Sequence, residues 1–129
     1  MTTETVFQPI AGGAALADEA ARPYDRRWLV VDDRDGWLDA VRAPGLAGLE
    51  ISLRFGYLVL RAAGMLRLDV PLDVIEDDDS VERTARIGGR AVRVVDEGEL
   101  AAAWFSQWLG QPCRLVKVHP DAGPVSWPG

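Results

Sequence analysis

The 129-residue sequence has a single cysteine, Cys113, and a single histidine, His119. A lone thiol excludes an internal disulfide framework and any CxxC redox or zinc pair, so folding rests on packing. With no histidine other than His119, any histidine-based dyad or triad would have to be built on that residue. Basic residues are also short. Lys and Arg number 14 against 20 Asp and Glu, a net charge of -6 that is the wrong balance for gripping a phosphate backbone, so nucleic acid is not expected as a partner. A local arginine cluster still suits one small anion, because the local field outweighs the total charge. No uncharged stretch approaches the ~20 apolar residues of a spanning helix, and Met1 to Val6 lacks a basic segment leading into an apolar one. Neither a membrane span nor a secretory signal is expected, and the expected compartment is the cytoplasm.

What is present fits one ordinary domain: 48% hydrophobic and 26% charged residues are close to globular averages, and disorder or a coiled coil is not suggested. The first two-thirds is a series of short apolar runs separated by glycine and acidic turn signals, the pattern of a meander or barrel of short strands. Arg27-Trp28-Leu29-Val30-Val31 is rich in strand formers and runs into Asp35-Gly36, a tight-turn pair, with Trp37-Leu38 returning. Leu49 to Leu53 alternates apolar with polar, turns at Phe55-Gly56 and runs back as Tyr57 to Leu60, and Leu66 to Val70 alternates again before Pro71. The acidic run Glu76 to Ser80 reads as a solvated loop. Thr84 to Ile87 and Ala91 to Val95 flank Gly88-Gly89 as a hairpin.

The spacing predicts one helix over 97–109, with Asp96 as N-cap, Glu99 as its capping-box partner, and Gly110 and Pro112 ending it. Leu100, Ala101, Trp104, Phe105 and Trp108 form its apolar stripe. A final strand covers Arg114 to Val118. The expected fold is therefore mainly β with one or two helices (α+β), a barrel-like antiparallel sheet of short strands with the helix packed on it and a last strand after it. The domain occupies 1–118, and 119–129 is an irregular, partly mobile tail rich in proline and glycine.

Few side chains suggest chemistry. Arg26 and Arg27 alternate in direction if they lie on a strand, and Asp25 beside them favours a structural ion pair over an anion site. Asp33, Asp35 and Gly36 evoke a calcium loop, but Val31 and Arg42 stand where that pattern requires acids, and a hairpin turn accounts for the carboxylates. Cys113 and His119 are separated by about 20 Å of extended strand, too far for a nucleophile and its base, so Cys113 reads as a small buried hydrophobe. Trp28, Trp104 and Trp108 fall on core faces, whereas Trp127 lies among tail prolines and is expected to dock on its own domain.

Three stretches carry a resemblance: Tyr24-Asp25-Arg26-Arg27-Trp28-Leu29-Val30-Val31-Asp32, the Gly36-Trp37-Leu38 hairpin, and the segment from Ala101-Ala102-Ala103-Trp104-Phe105 through Gln111-Pro112-Cys113-Arg114-Leu115-Val116. In this order and spacing the chain resembles, from Val6 to Val118, the N-terminal β-barrel half of molybdenum-cofactor sulfurase-type (MOSC) proteins. In that family the barrel is followed by a MOSC domain, and the two hold a molybdopterin cofactor whose metal is bound by a cysteine of the second domain. Cys113 falls inside the matched barrel segment and does not stand in for that cysteine, so the family's metal chemistry is not expected here.

Some members also grip the cofactor's phosphate with a Lys-Ser pair in the first strand, the arginine of an Asp-Arg motif and a Thr-Gln-Arg-like stretch after the hairpin. Here Arg26 matches the arginine, Ala11 and Gly12 occupy the Lys-Ser positions, and Asp39-Ala40-Val41 occupies the third. One exposed guanidinium gains only ~0–1 kcal/mol from an ion pair, so the resemblance implies weak molybdopterin binding at most and no resident cofactor.

The expected role is that of a non-catalytic, stand-alone binding or interaction module with no catalytic residues and no metal site, acting on a protein partner or on a second copy of itself. The alternative is an accessory that handles the molybdenum cofactor through its pterin phosphate at Arg26, beside a separate MOSC domain.

Overall fold

The computed structural model describes residues 5–72 and 82–128. The acidic run Glu76 to Ser80 lies outside them. In chain order the elements are β1 (Trp28–Asp32), β2 (Glu50–Arg54), β3 (Tyr57–Arg61), β4 (Leu68–Pro71), β5 (Glu82–Ile87), β6 (Arg90–Asp96), α1 (Glu99–Leu109) and β7 (Cys113–Val118), with short 3-10 turns at Glu19–Tyr24, Pro44–Gly48 and Pro120–Ala122. All strand pairs are antiparallel, and the strands divide into a four-stranded sheet in the order β1-β7-β6-β5 and a three-stranded sheet in the order β2-β3-β4. The mainly β architecture expected from the sequence is the one observed.

Local chemistry sets the turns. Asp32 accepts the amides of Arg34 and Gly36, each at 2.9 Å, and Asp35 adopts a φ of +61°, which closes the hairpin at Asp35-Gly36. The return is brief: Trp37 pairs opposite Val31, while Gly36 bridges to Arg86 on β5. Phe55-Gly56 joins β2 to β3 with both residues at positive φ, the geometry of a two-residue hairpin turn.

One core lies between the two sheets and α1, and includes Trp28, Val30, Leu58, Leu60, Leu68, Trp104, Phe105 and Leu115. A second, on the other face of the four-stranded sheet, gathers Leu29, Val31, Ala85, Ile87, Val94, Val116 and Val118, with Trp37, Val125 and Trp127 packed against it. Successive residues of β1 thus enter opposite clusters, which explains why this strand is a continuous apolar run rather than an alternating one.

Two details depart from the sequence-based reading. The helix begins at Glu99 with Gly98 as N-cap at φ +107°, and no side chain caps it. Asp96 is not the cap because it is still paired in β6 opposite Val116, and its carboxylate accepts from the Gly98 amide at 2.9 Å and Arg114 Nε at 2.7 Å. The chain must leave the strand before it can coil. Leu100 and Leu66 are also solvent-facing, at 77% and 87% exposure. Ala102 is buried in place of Leu100 on the packed face of α1, and β4 starts only at Leu68, two residues after Leu66.

The main core carries a buried polar corner. Lys117 is 3% exposed, its Nζ donates to the Leu72 carbonyl, and it stands 5.1 Å from the centre of the Trp28 ring. Trp28 Nε1 donates to Glu97 Oε2 at 3.2 Å. Burial pushes the Glu97 carboxyl above its ordinary value, against the opposing pull of the Trp28 bond and the Lys117 charge. An acid whose pKa is raised on folding contributes stability that is complete below its unfolded value and is lost as pH rises through the folded value. Glu97→Gln keeps an oxygen for the indole and removes the charge. Its stability relative to the unsubstituted chain is expected to increase as pH is taken from about 4 to about 8 in urea titrations, and a pH-independent difference would show that folding leaves Glu97 unperturbed.

Candidate functional site

The three positions singled out by the resemblance are distant in sequence, and the fold brings them to one recess of about 290 Å³. It is lined by Gln8, Ala11 and Gly12 of the N-terminal segment, by Arg26, by Trp37 with Asp39-Ala40-Val41 after the hairpin, and by Trp127 and Pro128 of the tail. Gln8 organises the first of these groups. Its carboxamide accepts from the Gly12 amide and donates to the Gly13 carbonyl, both at 2.9 Å, while its backbone carbonyl accepts from the Arg26 amide at 2.7 Å. Trp37 Nε1 donates to the Ala11 carbonyl at 3.2 Å, which ties the hairpin to the same loop.

Arg26 is not on a strand. It sits in the turn before β1 at φ +52°, and β1 begins only at Trp28, so the alternation expected of Arg26 and Arg27 does not apply. The expected ion pair with Asp25 is absent as well. Asp25 instead accepts the Gln8 amide at 2.7 Å, and the Arg26 guanidinium makes no ion pair or hydrogen bond among the described residues. It is exposed and lines the recess.

The remaining polar groups of the recess are largely spent. Asp39 accepts the amides of Val41 and Arg42 at 3.1 and 2.9 Å, and the Gly12 amide and Trp37 indole are bonded as described. Ala11 is 1% exposed, and a Cβ on Gly12 would stand 3.3 Å from the Ala40 nitrogen at a φ of +93°. Ala11 and Gly12 therefore contribute closely packed backbone, and a serine at Gly12 would require the Asp39-Ala40 segment to move. The lining includes no Ser, Thr, Cys, His or Lys. The recess thus brings together one guanidinium without a partner among the described residues, the Asp39 carboxylate and the Trp37 indole.

A second recess of about 330 Å³ shares Arg26 and Trp127 with the first and adds Arg27, Asp25 and Val118. Trp127 docks on its own domain as expected, its ring centre 5.0 Å from that of Trp37 in an edge-to-face arrangement. The other candidates are placed elsewhere. Cys113 is buried beside Ser106, whose hydroxyl accepts the Cys113 amide at 3.1 Å and donates to its carbonyl at 3.0 Å, and burial pushes its thiol pKa up despite the Ser106 contact. His119 lies beyond the other end of β7, where Nδ1 accepts the Asp121 amide at 3.0 Å. Asp35 is bonded to Arg83 at 2.9 Å. Gln8 and Trp37 had not been singled out as site residues. No local pattern marks Gln8, whose role depends on partners four to eighteen residues away.

Residues 11–112 match the profile of the MOSC N-terminal beta barrel domain. The chain is 36% identical over 101 residues to the molybdenum cofactor sulfurase of Danio rerio, an alignment covering 76% of this chain and 12% of that protein. It is 31% identical over 103 residues to the mitochondrial amidoxime-reducing component 1 of Mus musculus, covering 79% of this chain and 30% of that protein. The chain thus spans a minor part of the length of these relatives. A Bordetella bronchiseptica protein whose structure was solved in solution is 54% identical, superposes with a TM-score of 0.83, and is matched over 98% of its chain and 99% of this one.

Proposed function

The chain belongs to the MOSC N-terminal β-barrel domain family, and from that footing we propose that it is a non-catalytic binding module whose ligand site is the recess around Arg26. The observation that carries this reading is the convergence of Arg26, the Ala11-Gly12 turn and the Asp39 to Val41 segment on one recess in which the guanidinium has no ion pair or hydrogen bond among the described residues. An exposed guanidinium that lines a recess and has no partner among the described residues is free to meet an anionic oxygen. The Trp37 indole beside it suits a planar ring. A phosphorylated pterin combines the two features, and the word cofactor in the name of the sulfurase relatives points to the same class. In this reading the chain handles the organic, phosphate-bearing part of a molybdenum cofactor, with no metal ligand of its own in the recess.

Titration of the labelled protein with a phosphorylated pterin tests the reading. Amide NMR shifts are expected to centre on Arg26 and on Ala11 to Gly13. Arg26→Ala is expected to weaken binding about threefold, within the ~0–1 kcal/mol that one exposed ion pair supplies. An unchanged spectrum at these residues, or equal affinity in the variant, would remove the recess from consideration as a site.

A further inference from the structure

We propose that the C-terminal segment 123–128 is a displaceable strap that holds Trp127 in the ligand site, so that the recess around Arg26 is the closed part of a longer groove reaching over Arg27. The proposal rests on the reading of that recess as a ligand site and adds how access to it is controlled.

Trp127 lines both recesses, and so does Arg26. Gly123 and Val125 of the same segment line the second recess and Pro128 the first, so displacing the segment removes walls from both and opens one continuous surface carrying Arg26 and Arg27, with Asp25 and Asp39 beside them. Trp127 also packs edge-to-face with Trp37, ring centres 5.0 Å apart, and so takes up contact area at the indole that a ligand ring would need. While the strap is in place the site has room beside Arg26 for a small anion, but the Trp37 indole is already engaged.

The strap is attached in a way that favours release. The last backbone hydrogen bond before it is Ala122 N to the His119 carbonyl at 2.9 Å, and among the described residues 123–128 make none. Only side chains hold it: Val125 and Trp127 on the outer cluster, and Pro128 against the Gly88 turn. Segments lacking backbone hydrogen bonds open at far lower free energy than sheet strands. Gly123, at φ +74° with open space where a Cβ would stand, supplies a hinge at the start of the strap. The segment belongs to neither sheet, so its movement leaves every strand pairing in place.

A ligand that must expel the strap binds with its affinity reduced by the fraction of molecules already open. Removing the strap restores the full affinity for a ring-bearing ligand and leaves a small anion indifferent. The test compares the intact chain, Trp127→Ala and a chain ending at Ala122, each verified as folded by its melting curve, with a phosphorylated pterin and inorganic phosphate as the two probes. Val125→Ala, which loosens the strap while leaving Trp127 in the chain, replaces either altered chain that fails to fold. We expect about tenfold tighter pterin phosphate binding in both altered chains, an unchanged affinity for inorganic phosphate, and, in the intact chain at saturation, a Trp127 indole N–H resonance at the position of a free tail. Equal or weaker pterin phosphate binding by both altered chains overturns the strap while leaving the site in place if Arg26→Ala still reduces binding. Binding of neither probe by any of the three chains overturns the site and the strap together.

Discussion

Trp28→Ala is expected to lower the folding stability by about 3–5 kcal/mol, the cost of removing a fully buried indole from a packed core. Trp28 is 0% exposed and faces the cluster between the two sheets. Its ring stacks on Tyr24 at 5.9 Å between centroids, lies under the Lys117 ammonium, and donates to Glu97. Truncation therefore removes more than volume. It leaves a buried cation without its ring and a largely buried carboxyl without its donor, and each loss adds to the cavity. Because small domains hold only about 5–15 kcal/mol in total, urea denaturation should show a midpoint shifted far toward water or no folded baseline at all. Trp28→Phe retains most of the ring and should lose distinctly less. A loss below about 1.5 kcal/mol for the alanine variant would mean that the site collapses around the gap and that the polar corner does not depend on the indole.

Trp104→Ala is expected to cost a similar amount, about 3–5 kcal/mol, for a different structural reason. Trp104 sits on the packed face of α1, edge-on to Phe105 at 5.1 Å, and its Nε1 donates to the Leu66 carbonyl at 2.7 Å. That bond fastens the helix to the connection between β3 and β4, so the variant should loosen the three-stranded sheet where it meets α1. Hydrogen exchange is the sharper measurement here. Faster exchange at β4 amides with β5 and β6 unchanged is the expected pattern, and uniform acceleration across both sheets would contradict a local tie.

These two tryptophans show how much of the fold is legible in the chain. Trp104 and Phe105 are spaced to share a helical face, and Gly110 ends that helix at φ +70°, as a glycine after an apolar stripe implies. The hairpins at Asp35-Gly36, Phe55-Gly56 and Gly88-Gly89 are readable because their residues are matched to positive φ or to side-chain capping of the turn. The start of α1 is not readable. Asp96 has the chemistry of an N-cap, but β6 extends through it and two arginines compete for its carboxylate. Lys117 escapes notice for a related reason: an alternating strand ordinarily points a lysine to solvent, and only the packing of Trp28 and the Leu72 carbonyl around it makes this one internal.

The site divides in the same way. Arg26 and the two segments expected to accompany it could be aligned to the family pattern residue by residue, whereas their convergence, the diversion of Asp25 to the Gln8 amide, and the role of Trp127 as a wall could not.

By itself the sequence determined the succession of strands, the single long helix and the family, because each is written in periodicity, turn chemistry or motifs that neighbouring residues carry. Only the tertiary structure decided which face each strand buries, which carboxylate meets which arginine, and that the Arg26 guanidinium lines the same recess as the edge-to-face indoles of Trp37 and Trp127. Those outcomes depend on contacts between residues such as 8 and 26, 11 and 37, and 37 and 127. Such pairs leave no local signal, since side chains far apart in the chain become neighbours only when both sheets have closed around their cores.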